Sequence, residues 1–377
     1  MQALKVVTIV GTRPELIKLS RVVAELDARL AHVLVHTGQN YDYELNEVFF
    51  EQLNIKRPDY ALQVAGATAA QTIANVIAQT DVVLERERPD ALLVLGDTNS
   101  ALSVIAAKRR KIPIFHMEAG NRCFDARVPE EINRKIVDHV SDINLPYTEH
   151  ARRYLISEGL RPETIIKTGS PMREVLSYFR PQIESSDVLS RLELSPRGYF
   201  VVSAHREENV DSPESLLCLL DVLNAVAERY NKPLVVSTHP RTRQRLDAVG
   251  GTRNLNPKIR LLKPLGMFDY VRLQQQAQAV VSDSGTLTEE SALLGFPAVA
   301  IRETHERPEG MDEATLVMSG LHPQRVLQSI ELVSAQFASG ETGLTAPADY
   351  GSEDVSKKIA RIITSYVDYV NHNVWRR

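Results

Sequence analysis

Between residues 4 and 301, short apolar runs rich in β-branched residues alternate with longer segments of helical spacing. Leu4–Val10, His32–His36, Ala91–Leu95, Ile112–Met117 and Asp142–Pro146 form a first series. Tyr199–Ser203, Leu234–Ser237, Ile259–Leu262, Ala279–Ser282 and Ala298–Ile301 form a second. Runs that are apolar at nearly every position suit strands covered on both faces, and such strands are parallel ones joined by helices. That alternation admits few topologies, chiefly right-handed βαβ units wound on both faces of a sheet. A chain of 377 residues is long enough for two such domains. The prediction is therefore α/β, with Rossmann-like doubly wound domains over 1–169 and 170–352 and a last helix in 353–377. Thr168-Gly169-Ser170-Pro171 reads as the hinge, and Val355, Ile359, Ile362 and Ile363 give the last helix its apolar stripe.

In doubly wound sheets ligands bind at the carboxyl ends of the strands. Nearly every unusual polar motif here falls at such an end. Gly11-Thr12-Arg13-Pro14-Glu15 follows the first strand, with Lys18 about one turn into the next helix. Gly96-Asp97-Thr98 and Glu118-Ala119-Gly120 end two later strands, and a loop then brings Arg122, Arg127, Glu130, Glu131 and Arg134. The second series supplies His205-Arg206-Glu207-Glu208, His239, Arg241 and Arg307. Its most informative stretch is Ser282-Asp283-Ser284-Gly285-Thr286, a short turn between an apolar run and the helical segment Glu289–Leu294. Such a turn points unpaired N–H groups at one spot, where the helix dipole also favours an anion. Glu289 and Glu290 lie one turn inside that helix and suit the hydroxyls of a ribose or another sugar. Removing an unactivated proton takes a carboxylate or histidine base. Expelling a diphosphate takes cations and backbone amides. The set holds both.

Several classes are disfavoured. A net charge of −4 and a pI near 6.2 argue against a nucleic-acid or acidic-membrane surface. The two cysteines, Cys123 and Cys218, make neither a disulfide framework nor a thiolate metal site. There is no His-x-x-x-His or Cys-x-x-Cys spacing, no Gly-x-Gly-x-x-Gly after a strand and no P-loop. No run of about 18 apolar residues occurs. The chain opens on a strand-like run without a signal-peptide pattern, so a cytoplasmic enzyme is expected.

Taken in order, Gly11-Thr12-Arg13-Pro14-Glu15, Gly96-Asp97-Thr98, His116-Met117-Glu118-Ala119-Gly120 and Pro129-Glu130-Glu131-x-Asn133-Arg134 resemble the non-hydrolysing UDP-N-acetylglucosamine 2-epimerases. So do His205-Arg206-x-Glu208-Asn209, Asp283-Ser284-Gly285 with Glu289-Glu290, and Glu306-Arg307-Pro308-Glu309. The resemblance implies two Rossmann-like domains of the glycosyltransferase B type facing a cleft, the last helix crossing back to the first domain. It also implies a homodimer, a UDP-2-acetamido sugar as substrate and no cofactor. On this resemblance Asp97, Glu118 and Glu130 are acid and base candidates, and His205 is a further acid/base or diphosphate-binding group. Arg13, Lys18 and Arg134 hold diphosphate and sugar, Ser284 and Gly285 form the phosphate turn, Glu290 takes the ribose hydroxyls and Tyr270 lies near uracil. Arg122, His239 and Arg307 complete the expected substrate contacts.

The loop Gly120-Asn121-Arg122-Cys123-Phe124-Asp125-Ala126-Arg127-Val128-Pro129 departs from the family's common Gly-Leu-Arg-Thr/Ser pattern. With His36-Thr37-Gly38-Gln39-Asn40-Tyr41-Asp42-Tyr43 and Ser237-Thr238-His239-Pro240-Arg241, it resembles the branch that makes UDP-N-acetyl-L-fucosamine from UDP-2-acetamido-2,6-dideoxy-L-talose. Cys123, Phe124 and Val128 would then wall a C6 methyl group, where a hydroxyl would stay unpaired. The alternatives are a UDP-N-acetylglucosamine 2-epimerase and a retaining UDP-sugar glycosyltransferase.

Overall fold

A computed structural model describes residues 3–38, 49–210, 212–238, 240–248, 255–340 and 346–377. The chain forms two compact units, Met1–Tyr178 with Ala348–Arg377, and Phe179–Pro347.

Unit 1 holds β1 (Lys5–Val10), β2 (Ala31–His36), β3 (Tyr60–Ala61), β4 (Ala91–Leu95), β5 (Ile114–Met117) and β6 (Ile143–Leu145) in the order β3-β2-β1-β4-β5-β6. Every pairing is parallel. Unit 2 holds β7 (Phe200–Ser203), β8 (Leu234–Ser237), β9 (Ile259–Leu262), β10 (Ala279–Ser282), β11 (Ala298–Ala300) and β12 (Val317–Met318), ordered β12-β11-β10-β7-β8-β9 and again all parallel. Counted from its own first strand, each sheet has the doubly wound order 3-2-1-4-5-6. The order reverses between β1 and β4 in unit 1, and between β7 and β10 in unit 2.

The apolar runs explain the layers. All five residues of β4 are buried, and Val7, Ile9, Val35, Leu92, Val94 and Ile114 share one core. Phe200, Val202, Leu234, Val236, Val281 and Val299 share another in unit 2. The Arg13–Arg29 helix buries Leu16, Leu19, Val22, Val23 and Leu26 at helical spacing. Glu15, its third residue, reaches back to the Thr12 N–H at 2.6 Å and the Gly11 N–H at 2.7 Å, satisfying amides the helix leaves open. The last helix, Val355–Asn373, packs on it. That helix runs past Tyr366 because Val367 and Val370 continue its buried stripe.

The chain leaves unit 1 after Tyr178 and returns at Ala348. The Met172–Tyr178 helix stays with unit 1, where its Glu174 accepts from the Ser356 N–H at 2.9 Å. Thr168-Gly169-Ser170-Pro171 therefore lies inside unit 1. Among the described residues no helix is long and apolar enough to cross a membrane.

Candidate active site

In unit 1, the ends of β1, β4 and β5 carry the acidic groups. Glu15 is 3% exposed and accepts from the Thr98 hydroxyl at 2.7 Å, tying the turn after β1 to the turn after β4. Burial raises its pKa above the usual carboxylate range, against the hydrogen bonds from Thr98, Gly11 and Thr12. Asp97 follows β4 and meets Arg134, whose Nη2 and Nε stand 2.6 and 3.0 Å from its Oδ2. Asn133 donates to the Asp97 carbonyl at 3.0 Å. Both residues lie on the Pro129–Val140 helix, which packs against Asn99–Ser103. Glu118 follows β5 in the left-handed region, φ +63°, and accepts from Lys18 Nζ at 2.5 Å. Since Leu95 pairs with Met117, the two carboxylates stand at neighbouring strand ends, each with its own cation. Glu130 shares a helix face with Arg134, is half-buried and makes no hydrogen bond or ion pair with the described residues. Arg13 opens its helix with the guanidinium 5.5 Å from the Phe49 ring centre.

Arg122, expected among the substrate contacts, makes its described bonds to carboxylates. It is 1% exposed, and its guanidinium grips Glu158 with two bonds of 2.6 and 2.7 Å and Asp138 with one of 2.7 Å. Asp138 also accepts from the Gly120 N–H and lies 2.9 Å from His116 Nδ1, while His116 Nε2 is 2.8 Å from the Gly96 carbonyl. Arg122 thus braces the backbone before Asp97 through Asp138 and His116. Of the three residues suggested as an apolar wall, Cys123 and Val128 are buried and Phe124 is 69% exposed.

In unit 2 the turn after β7 and the turn after β10 meet at the switch point. Asp283 is fully buried and accepts from the His205 and Arg206 N–H groups at 3.0 Å each and from the Asn209 amide at 3.0 Å. His205 turns Nδ1 to Asp283 at 3.2 Å, and its side chain is 51% exposed. A carboxylate on one ring nitrogen orients the imidazole and leaves the other for a ligand. The Leu287–Leu294 helix begins just after Ser284-Gly285-Thr286. The N–H groups of Gly285 and Thr286 have no acceptor among the described residues. Gly285 leaves little room, since a Cβ there would stand 3.3 Å from Arg206 Nη2 and 3.3 Å from Glu306 Oε2.

Charge surrounds this turn. Glu306 takes a two-pronged bond from Arg302 at 2.8 and 3.1 Å and holds Arg206 at 3.0 Å. A small cavity is lined by Ser284, Gly285, Arg302, His305, Glu306 and Arg307, with Met311 and Met318 on its apolar side. The two adjacent glutamates separate, as neighbours on a helix must. Glu289 is buried against Arg307 Nη2 at 3.1 Å, and Glu290 accepts from the Gln274 amide at 2.6 Å. The Tyr270 hydroxyl bonds to Ser203, and burial beside Glu290 pushes its pKa up. His239 lies outside the described residues.

Motif reading missed Asp283, Asn209 and Asp138 as organising groups. Their partners include Arg206 and Arg122, but only burial shows which carboxylate faces inward. The one available signal was the low chance of acids inside motifs that border apolar strands.

The model of the UDP-N-acetylglucosamine 2-epimerase family matches residues 24–364. A solved UDP-N-acetylglucosamine 2-epimerase from Rickettsia bellii is 54% identical, with both chains covered in full and a TM-score of 0.93. The UDP-GlcNAc 2-epimerase of Methanocaldococcus jannaschii, solved in complex with UDP-GlcNAc and UDP, is 30% identical over 96% of this chain and 100% of that one, with a TM-score of 0.90. The UDP-2,3-diacetamido-2,3-dideoxy-D-glucuronate 2-epimerase of Pseudomonas aeruginosa is 33% identical over 365 residues, 96% of this chain and 99% of the relative.

Proposed function

The chain belongs to the UDP-N-acetylglucosamine 2-epimerase family, and we propose that it inverts C2 of a UDP-2-acetamido sugar by eliminating and re-adding UDP. A carboxylate takes the C2 proton. The C–H electron pair becomes the C1=C2 bond as the C1–O bond breaks, and UDP leaves with the C1–O pair. A second group then delivers a solvent-derived proton to the opposite face of the 2-acetamidoglycal, and a UDP oxygen re-forms the bond to C1. Inversion is served most simply by two acid/base groups on opposite faces. The observation that carries this reading is the pair Asp97 and Glu118 at adjacent strand ends, oriented by Arg134 and Lys18.

Asp97, Glu118 and Glu130 are assigned to the sugar, with His205 as a further acid/base or diphosphate-binding group. The N–H groups after Ser284, with Arg13, are assigned to the diphosphate, Glu290 to the ribose and Tyr270 to uracil. Arg307 fixes Glu289 under the turn. The test is incubation with the UDP-sugar in D2O and no acceptor. Deuterium at C2 is the expected result. An unlabelled, unchanged sugar would favour the retaining glycosyltransferase, and bulk release of free sugar would indicate hydrolysis.

Within the family, the proposed substrate is UDP-2-acetamido-2,6-dideoxy-L-talose, converted to UDP-N-acetyl-L-fucosamine. The departure of the Gly120–Pro129 loop from the family's common pattern supports it, and of Cys123, Phe124 and Val128 it is Phe124 that is exposed and available to C6 of the sugar. The second reading is UDP-N-acetylglucosamine, which the name of the Rickettsia bellii relative favours. Turnover of both sugars side by side decides between them: a higher kcat/KM for UDP-N-acetylglucosamine rejects the 6-deoxy assignment.

A further inference from the structure

Glu131 is fully buried, yet the chemistry above gives it nothing to do. Its Oε2 accepts from the Cys123 N–H at 3.0 Å and from Arg134 Nη1 at 3.0 Å, with the Cys123 thiol at 3.4 Å. Its Oε1 accepts from the Phe124 N–H at 3.2 Å, and Lys135 Nζ lies 3.5 Å away. Arg134 uses its remaining nitrogens on a single oxygen of Asp97. One guanidinium is thus stretched between a buried carboxylate and the carboxylate assigned to proton transfer. The same buried carboxylate ties down the backbone of Phe124, which sits at φ +57°, a conformation an aromatic residue rarely adopts.

We propose that Glu131 is a positioning residue that sets Asp97 and the Phe124 loop in one register. Arg134 carries its hold to the Asp97 side chain, and the two loop amides carry it to the residue assigned to C6 of the sugar. The inference rests on the role given to Asp97 above. A carboxylate is needed because all the close partners are donors, two of them backbone amides and one a guanidinium. Glutamine would keep one acceptor but turn an N–H2 group toward one of those donors. A small displacement of Asp97 matters because proton transfer tolerates little misplacement.

The test compares wild type, Glu131→Gln and Glu131→Asp on the UDP-sugar that wild type turns over, with C2 labelling in D2O, kcat and KM, and UDP binding by calorimetry. Glu131→Gln should lose kcat by on the order of 30- to 100-fold while KM stays within about threefold, because positioning acts in the transition state. UDP affinity should not change, and Glu131→Asp should recover part of kcat by restoring the charge. A folded Glu131→Gln enzyme with wild-type kcat overturns the proposal. So does a loss confined to KM, or fewer active sites at unchanged kcat per site, which marks a purely structural role. Should Glu131→Gln fail to fold, Glu131→Asp decides: reduced kcat at constant KM supports the proposal and wild-type kcat refutes it. Wild type that leaves C2 unlabelled sinks the parent reading, and this one with it, before any variant is made.

Discussion

Units 1 and 2 share one strand order but finish their switch points in opposite ways. In unit 1 the strand ends carry acids, and the ion pairs Lys18–Glu118 and Arg134–Asp97 are short and span different elements. In unit 2 the acids turn inward, Asp283 and Glu289 being fully buried, and what faces out is His205 and the open amides of Gly285 and Thr286. The topology therefore dictates where chemistry can sit, not which chemistry it is. Turn composition decides that: an acid placed one or two residues past β4 and β5 suits proton transfer, and a Ser-Gly turn before a helix suits an anion.

The sharpest way to break this division is Asp97→Asn. Turnover should fall by roughly 1000-fold, the range for loss of a general acid or base, with UDP affinity unchanged. An equal loss of UDP binding would show that unit 1 does not specialise in proton chemistry. Gly120→Ala should produce the largest loss of stability. Gly120 sits at φ +83°, and an added Cβ would lie 2.4 Å from the Ala151 carbonyl oxygen, which is backbone and cannot step aside. A loss of about 2–4 kcal/mol is expected in denaturant unfolding, from overpacking and backbone strain together. A variant as stable as wild type would refute the close approach. Gly285→Val comes next, since its side chain would fill the space beside Arg206 and Glu306. UDP should bind about tenfold more weakly, near 1.4 kcal/mol, while kcat at saturation changes less. Unchanged UDP affinity would remove the anion site from that turn.

Much of this arrangement was legible in the residues. Ala91–Leu95, Leu234–Ser237, Ile259–Leu262 and Ala279–Ser282 are strands with the very bounds their apolar runs suggested. β3 and β12 were not seen, because two-residue edge strands such as Tyr60–Ala61 and Val317–Met318 show no periodicity. The motifs at strand ends were legible for the same reason the strands were. Their pairings were not: Lys18 and Glu118 are 100 positions apart, and His205 and Asp283 are 78 apart. Arg122 shows the limit most directly. A cation in a polar loop reads as a ligand-binding group, and only its burial between Glu158 and Asp138 reveals a brace.

The two cysteines offer a milder comparison of the units. Cys218 is exposed in unit 2, whereas Cys123 is buried in unit 1 beside Glu131, and burial raises its thiol pKa. Because the thiolate is the nucleophile, a thiol reagent should label Cys218 rapidly and Cys123 slowly in the native enzyme. Equal rates would mean that the Cys123–Glu131 packing opens readily.

The smallest expected effect concerns acid. In unit 1 the half-buried Asp125 is held down to about 2 by Arg127, so that bridge persists across the range where most enzymes work. In unit 2 burial lowers the pKa of His305, with Arg302 acting in the same direction and Glu306 opposing. Its folded pKa lies below the unfolded value near 6.5, so protons favour the unfolded chain once the pH falls past that value. The half-buried ring should make this a minor loss, because solvent screens it. Thermal unfolding of wild type and His305→Asn at pH 7 and pH 5 separates the contribution. The wild type should lose slightly more stability on acidification than the variant, which lacks the titrating ring. Equal acid sensitivity in both proteins would place the titrating group elsewhere, with His36 in unit 1, whose pKa burial also lowers, as the next histidine to replace.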